Sequence, residues 1–343
     1  MIQQLQDIQA AFGATFDSNI PLSFGNDVEA LEAAQSGVAI CDRSHWGLIK
    51  VTGGDRIRFL HNQSTNDFER LKSGEGCDTV FVTSTARTID LATAYVTDDA
   101  VLLINSPNRY KYLLEWLDRY IFFADKVELT DITEKTAIFS LIGAKSNDLL
   151  EKLGLDAIIG QPVGNHQLID DVRIAVGSGL ATPGYTLIVP AENAAKVWKI
   201  LVEAGAVPMG NLVWEQLRIK QGRPVPDQEL TDDYNPLEAG LLQTISFDKG
   251  CYIGQETIAR LNTYKGVKQN LWGIKLNAIA EIGSVIMVGE EKVGKLTSIV
   301  ESDRGFLGLG YIRTKAGGAG LTVQIGETTG EVVEVPFLSR ILP

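Results

Sequence analysis

The stretch DKGCYIGQE, Asp248 to Glu256, holds one of the three cysteines of a 343-residue chain. A lysine stands two residues before Cys251, with Gly250 immediately before the thiol and Gly254 three residues after it. A free cysteine usually behaves as a small buried hydrophobe. A reactive one needs the thiolate, which an ordinary thiol with a pKa of about 8.5 supplies only to a few per cent at neutral pH. Positive potential from Lys249, and the free N–H groups of a helix opening at Gly254, would favour that thiolate. The glycines would permit left-handed turns and close approach of a ligand. Both readings of Cys251 stay open on spacing alone. Cys41 and Cys77 lack such surroundings and read as buried hydrophobes.

Outward from this stretch, charge is unevenly spread. The chain carries 31 basic and 43 acidic side chains, a net charge of −12, which opposes the counterion release that drives binding to a phosphate backbone. Direct nucleic-acid binding is therefore not expected. Residues 266–343 hold eight basic and eight acidic groups, so the acidic excess lies before them. Within the acidic part, Lys249, Arg260, Lys265 and Lys268 face only Glu256, a small basic island that begins at the thiol. No apolar run of about 18 residues predicts a membrane span. The opening MIQQLQDIQAAFGATFDS has neither the basic cap and apolar block of a secretory signal nor an arginine, and with three unpaired cysteines this predicts a reducing cytosol and no disulfide or zinc framework.

Apolar patterning predicts strands over 46–53, 79–84, 89–97 and 100–105, and helices after Asp55 and from Pro107 to about Tyr120. A second set echoes the first: a strand over 136–143, a helix over 144–154, a strand from 185, then helices ending at Gly205 and Gly222. From 280 to 330 eleven glycines separate short apolar runs, the pattern of a small barrel or sandwich. GLGYIR (308–313) lacks the strand–helix unit of a dinucleotide loop and is not read as one. The expected organisation is α+β, with residues 1–267 forming two subdomains and 268–343 a C-terminal β-barrel.

Several polar side chains stand where chemistry could use them. Asn66 and Asp67 end a helix before a glycine-rich turn, either as an Asx-type cap or facing a polar heterocycle. Asp90 sits between apolar neighbours in a strand, so it faces water, a partner or a ligand. Asn105 closes the strand AVLLIN and poses the same choice. His45, His61 and His166 have no i, i+4 pairing that would predict a metal site.

KGCYIGQE closely resembles the signature of the YgfZ-type proteins, relatives of the glycine-cleavage T-protein (aminomethyltransferase), whose eukaryotic members are mitochondrial factors for assembling iron–sulfur proteins. AICDRSHWGLIKVTGGDRIRFLHNQSTNDFERLKSGEG (39–76) resembles the T-protein entry segment, LRIKQGRPV and NPLEAGL its second half, and the glycine-rich tail its terminal barrel. The resemblance implies a clover leaf of three domains around a pocket for tetrahydrofolate. It implies a site framed by Asn66, Asp67, Asp90, Asn105 and Arg218 together with the motif residues Lys249, Gly250, Cys251, Tyr252, Gly254, Gln255, Glu256 and Arg260. Cys251 and Asp90 are its candidate chemical groups, and Gln255, Glu256 and Arg260 would position the thiol segment against the pocket.

The departures from the T-protein are specific. Its two successive aspartates appear as Asp90 and Leu91, its glycine–glutamate–aspartate run as Ala181, Thr182 and Pro183, and an arginine as Trp214. Each lost ionic anchor is worth about 1.5–3 kcal/mol as a charged hydrogen bond, which argues against aminomethyl transfer. The expected function is a folate-binding accessory factor whose partners are folate and iron–sulfur client proteins or assembly factors. A folate-dependent aminomethyltransferase and a docking scaffold without folate are the alternatives.

Overall fold

The computed structural model describes residues 2–302 and 305–340, which divide into two compact units. The first comprises residues 1–59, 68–78 and 92–215; the second comprises 60–67, 79–91 and 216–343. Among the described residues no helix is long and apolar enough to cross a membrane.

The first unit is built on a six-stranded sheet in the order His166–Ile169, Val172–Val176, Gly184–Pro190, Thr136–Ile142, Ala39–Asp42, Val207–Met209. Every pairing is antiparallel except the last, which is parallel. The continuous apolar runs that predicted buried strands do fill the core: Phe139, Leu141, Leu187 and Val189 pack with Ile40, Leu150 and Trp198 in one cluster. Trp198 lies on the helix Ala194–Ala204, which ends where predicted. Gly205 takes φ +120 and sends its N–H to the carbonyls of Leu201 and Val202, a conformation open chiefly to glycine.

A five-stranded sheet follows the order Gly76–Val82, Thr88–Val96, Ala100–Asn105, Gly47–Thr52, Glu128–Asp131. The predicted helix after Asp55 spans Arg56–Gln63, and the one predicted from Pro107 is shorter, Tyr110–Asp118. The small hairpin Thr15–Asp17 with Ile20–Ser23 was not expected, because strands of three and four residues leave no readable period.

The glycine-rich tail forms a closed barrel in the order Gln269–Leu276, Gly305–Arg313, Glu291–Ser302, Val285–Val288, Thr322–Ile325, Thr328–Val333. Closure comes from Gln269–Leu276, which pairs with both Gly305–Arg313 and Thr328–Val333. Narrow curvature explains a glycine such as Gly294, where a Cβ would stand 2.0 Å from the Tyr311 carbonyl oxygen. The segment GLGYIR lies inside the Gly305–Arg313 strand, with no helix behind it.

Two imidazoles of the first unit are held neutral. His166 is 3% exposed and faces Arg173, whose Nη1 lies 2.8 Å from its Nδ1. Burial, then the Arg173 charge, pushes His166 down to about 4; burial and Arg43 do the same to His45. The unfolded chain therefore takes up protons below the ordinary histidine value of about 6.5 that the folded chain refuses. The contribution of these rings to stability is complete above that value and is lost as pH falls through the folded value. Urea midpoints for wild type and His166→Gln should run parallel above pH ~6.5, with the wild type falling more steeply below it.

Candidate functional site: the clamped thiol loop

The Cys251 loop is fixed by the lysine that precedes it. Lys249 is 7% exposed, and its ammonium donates to the backbone oxygens of His61, of Ser64 at 2.8 Å and of Asn66 at 2.6 Å. These carbonyls belong to the last turn of the helix Arg56–Gln63 and the chain just beyond it, where carbonyl groups lack helical donors. The same ammonium lies 4.7 Å from the ring centroid of Tyr252. Tyr252 is 8% exposed and packs with Val80, Val82, Leu91 and Ile258; burial raises its hydroxyl to about 12. A further tie joins the Ile253 N–H to the Asn62 carbonyl at 3.0 Å.

Gly254 then turns the chain. Its φ of +82 opens the helix Gln255–Thr263. A Cβ there would stand 2.9 Å from both the Thr83 carbonyl oxygen and Val82 Cγ2, so glycine is demanded twice over. Gln255 reaches back with Nε2 to the Gly250 carbonyl at 3.4 Å. Between these anchors Cys251 is exposed, whereas Cys41 is buried and Cys77 half-buried. Burial pushes the Cys41 thiol up to about 12. The thiol that sequence could not place is thus at the surface, on a loop held on both sides.

The structure places its charged neighbours as follows: Lys249 inward, Glu256 and Arg260 outward. The Lys249 ammonium, expected to stabilise a thiolate, is occupied by carbonyl oxygens. Glu256 and Arg260 are exposed on their helix, and among the described residues their side chains make no hydrogen bond or ion pair. Ile258, fully buried, does the packing instead.

Asn66 is tied to its surroundings: its Oδ1 accepts the N–H of the next residue, Asp67, at 2.8 Å, and its own N–H donates to Thr79 Oγ1 at 3.0 Å. Asp67 lies 3.2 Å from His61 Nδ1, both side chains at most 10% exposed. On its other edge His61 Nε2 is 3.7 Å from where a Cβ on Gly250 would be. His61 is therefore part of the loop's seat, a role invisible when histidines are judged only as metal ligands. Among the described residues no group of three His, Cys, Asp or Glu side chains is arranged around a metal.

Asp90 is fully buried, which removes the reading of a solvent-facing strand aspartate. Arg218 is also buried, at 1% exposure, and is spent on a network of the second unit: Nη1 lies 3.3 Å from Glu229 Oε2, and Nη2 reaches Gln228 Oε1 and Ser298 Oγ. A register shift in the barrel strand between Leu296 and Ser298 lets Thr297 and Ser298 both donate to Glu229 Oε1, at 2.8 and 2.5 Å. None of these partners belongs to the thiol loop.

Asn105 lies in the first unit and is described there by itself. It is fully buried, and among the described residues neither its Oδ1 nor its Nδ2 has a hydrogen-bond partner. Such a group costs about 1–3 kcal/mol unless something pairs with it. A ligand presenting an adjacent donor and acceptor, as a pterin amide edge does, satisfies that requirement. In the same unit Arg43 lies between two buried indoles, its Cζ 4.7 Å from the ring centroids of Trp46 and of Trp214.

Comparison with known proteins adds ancestry. The chain matches the family model described as GCVT N-terminal domain over residues 1–249. It is 50% identical, over 99% of its length and 80% of the relative's, to a chloroplastic Arabidopsis thaliana protein provisionally named a transferase. It is 30% identical to an aminomethyltransferase of Caldanaerobacter subterraneus, over 81% of this chain and 77% of that one. Among solved structures it superposes on the glycine cleavage system aminomethyltransferase T of Bartonella henselae with a TM-score of 0.88, at 18% identity, over 98% of both chains.

Proposed function

The chain belongs to the GCVT N-terminal domain family, and from that premise we propose that it is a tetrahydrofolate-binding accessory factor of the YgfZ type that serves iron–sulfur protein assembly or repair through Cys251. The observation that carries the reading is the exposed thiol on a clamped loop. A loop that merely connected two elements would need neither three carbonyl ties to one buried ammonium nor a glycine forced by both φ and space. A thiol held this way can ligate iron or exchange with a disulfide without first ordering its backbone.

Folate binding is supported by the orphaned amide of Asn105. When bound, tetrahydrofolate supplies a one-carbon or reducing centre. Asn105 would hold its heterocycle by a donor–acceptor pair, while Trp46 and Trp214 would exclude water beside it. The setting is a reducing compartment such as the cytosol, where an exposed cysteine stays free.

Two measurements test this reading separately. A Cys251→Ser strain should lose several-fold activity of its iron–sulfur enzymes under oxidative stress; wild-type activity removes the thiol from the mechanism. Titration with tetrahydrofolate should quench tryptophan emission saturably in wild type and Cys251→Ser alike, and fail in Asn105→Leu. The second reading, an aminomethyltransferase, draws on the names of relatives such as that of Halalkalibacterium halodurans, 28% identical over 94% of this chain and 92% of that one. The neighbour of Asp90 is Leu91, leaving one carboxylate, so a reconstituted glycine-cleavage assay should show no turnover.

A further inference from the structure

A cavity of about 180 Å3 in the first unit is lined by Leu5, Gln6, Asn19, Asp42, His45 and Thr136, among others, and by none of the residues discussed as the folate or thiol site. Its polar wall centres on Asp42. Asp42 is 8% exposed, and its Oδ1 accepts the N–H and the hydroxyl of Ser44, while Oδ2 accepts Gln9 Nε2 at 2.8 Å. A carboxylate has about four lone-pair positions, so one on Oδ2 is unfilled. Gln9, behind Asp42 and outside the lining, is fully buried, and its Oε1 has no partner among the described residues. The His45 ring likewise makes no hydrogen bond among them, and burial keeps it neutral, with one bare acceptor nitrogen.

Two hydroxyl donors of the lining are already committed. Thr136 Oγ1 donates to the Ile132 carbonyl at 3.0 Å, and the Ser44 hydroxyl to Asp42. Asp42 thus brings to the cavity a buried carboxylate with an unfilled acceptor position and, among the described residues, no cation paired with it. The rest of the lining is apolar: Leu5, Ala137, Ala191 and Ala194. An engineered cavity of about 150 Å3 admits benzene, so this one has room for roughly six heavy atoms.

We propose that this cavity is a binding site for a small organic ammonium ion, with its N–H donors on Asp42 and His45 and its alkyl part against the alanines. Charge and size select that class. A neutral alcohol of the same length brings one donor and no charge, and a bare inorganic cation leaves the apolar wall unused.

The test uses the full chain and n-propylammonium chloride, read by the His45 ring resonance, which is assigned with His45→Gln. The expected result is a saturable shift that propan-1-ol and potassium chloride at equal ionic strength do not reproduce. Asp42→Asn should raise the dissociation constant at least tenfold. Should that variant not fold, Ala191→Leu, which fills the space and leaves the carboxylate in place, should abolish the shift. A His45 resonance that stays still, that follows potassium chloride equally, or that shifts undiminished in Ala191→Leu overturns the proposal.

Discussion

Replacing Arg218 by methionine should destabilise the second unit by about 4 kcal/mol, the largest single-residue effect expected in this protein. The reason lies in what is left behind. Glu229 is fully buried, and its carboxylate would keep only neutral donors: the Val225 N–H at 3.2 Å and the hydroxyls of Thr297 and Ser298. An ion stranded without its counter-ion costs far more than the pair contributes when intact, because desolvation of two charges nearly cancels their attraction. The double variant Arg218→Met, Glu229→Leu should therefore recover most of the loss. Hydrogen exchange of amides in the Glu291–Ser302 strand, where Thr297 and Ser298 reside, reads the effect locally. A single variant that loses less than about 1 kcal/mol, the worth of an exposed pair, would show that the guanidinium is dispensable there.

Lys249→Met should cost about 3 kcal/mol, from three carbonyl groups that lose a charged donor and are left buried or half-buried. Methionine keeps the length of the aliphatic stem, so packing against Tyr252 is nearly conserved and the change isolates the ammonium. The Ile253 amide, bonded to Asn62, is the sensitive reporter. Its exchange should accelerate by about two orders of magnitude, the equivalent of that energy. Unchanged protection at Ile253 would mean that the loop is held by its apolar contacts alone.

Both predictions concern residues that sequence reading picked out for another purpose, and this marks where such reading stops. The chain order of strands and helices was legible because apolar runs such as AVLLIN and TAIFSLI, and glycines after Ala204 and Gln221, are local signals. The barrel was legible from glycine spacing. The order of strands within each sheet was not, since it is fixed by pairings between residues far apart in the chain. Cys251 stood out by its neighbours, yet its exposure depends on ties from Lys249 to carbonyls more than 180 residues earlier. Asp90 and Asn105 were recognisable as misplaced polar groups in apolar strands, but their complete burial was not. Glu229 carried no signal at all: within VPDQELTDDYN it is one acid among several, and only the bulged barrel strand makes it the centre of a network.

Closure of the barrel bears on how this protein can meet another. Because Gln269–Leu276 pairs on both sides, the barrel presents, among the described residues, no open edge strand along which an extended peptide could be added or a second chain could stack. Recruitment there must proceed through side-chain chemistry, which sets a sharper filter on partners than backbone augmentation and removes a common route to fibrillar assembly.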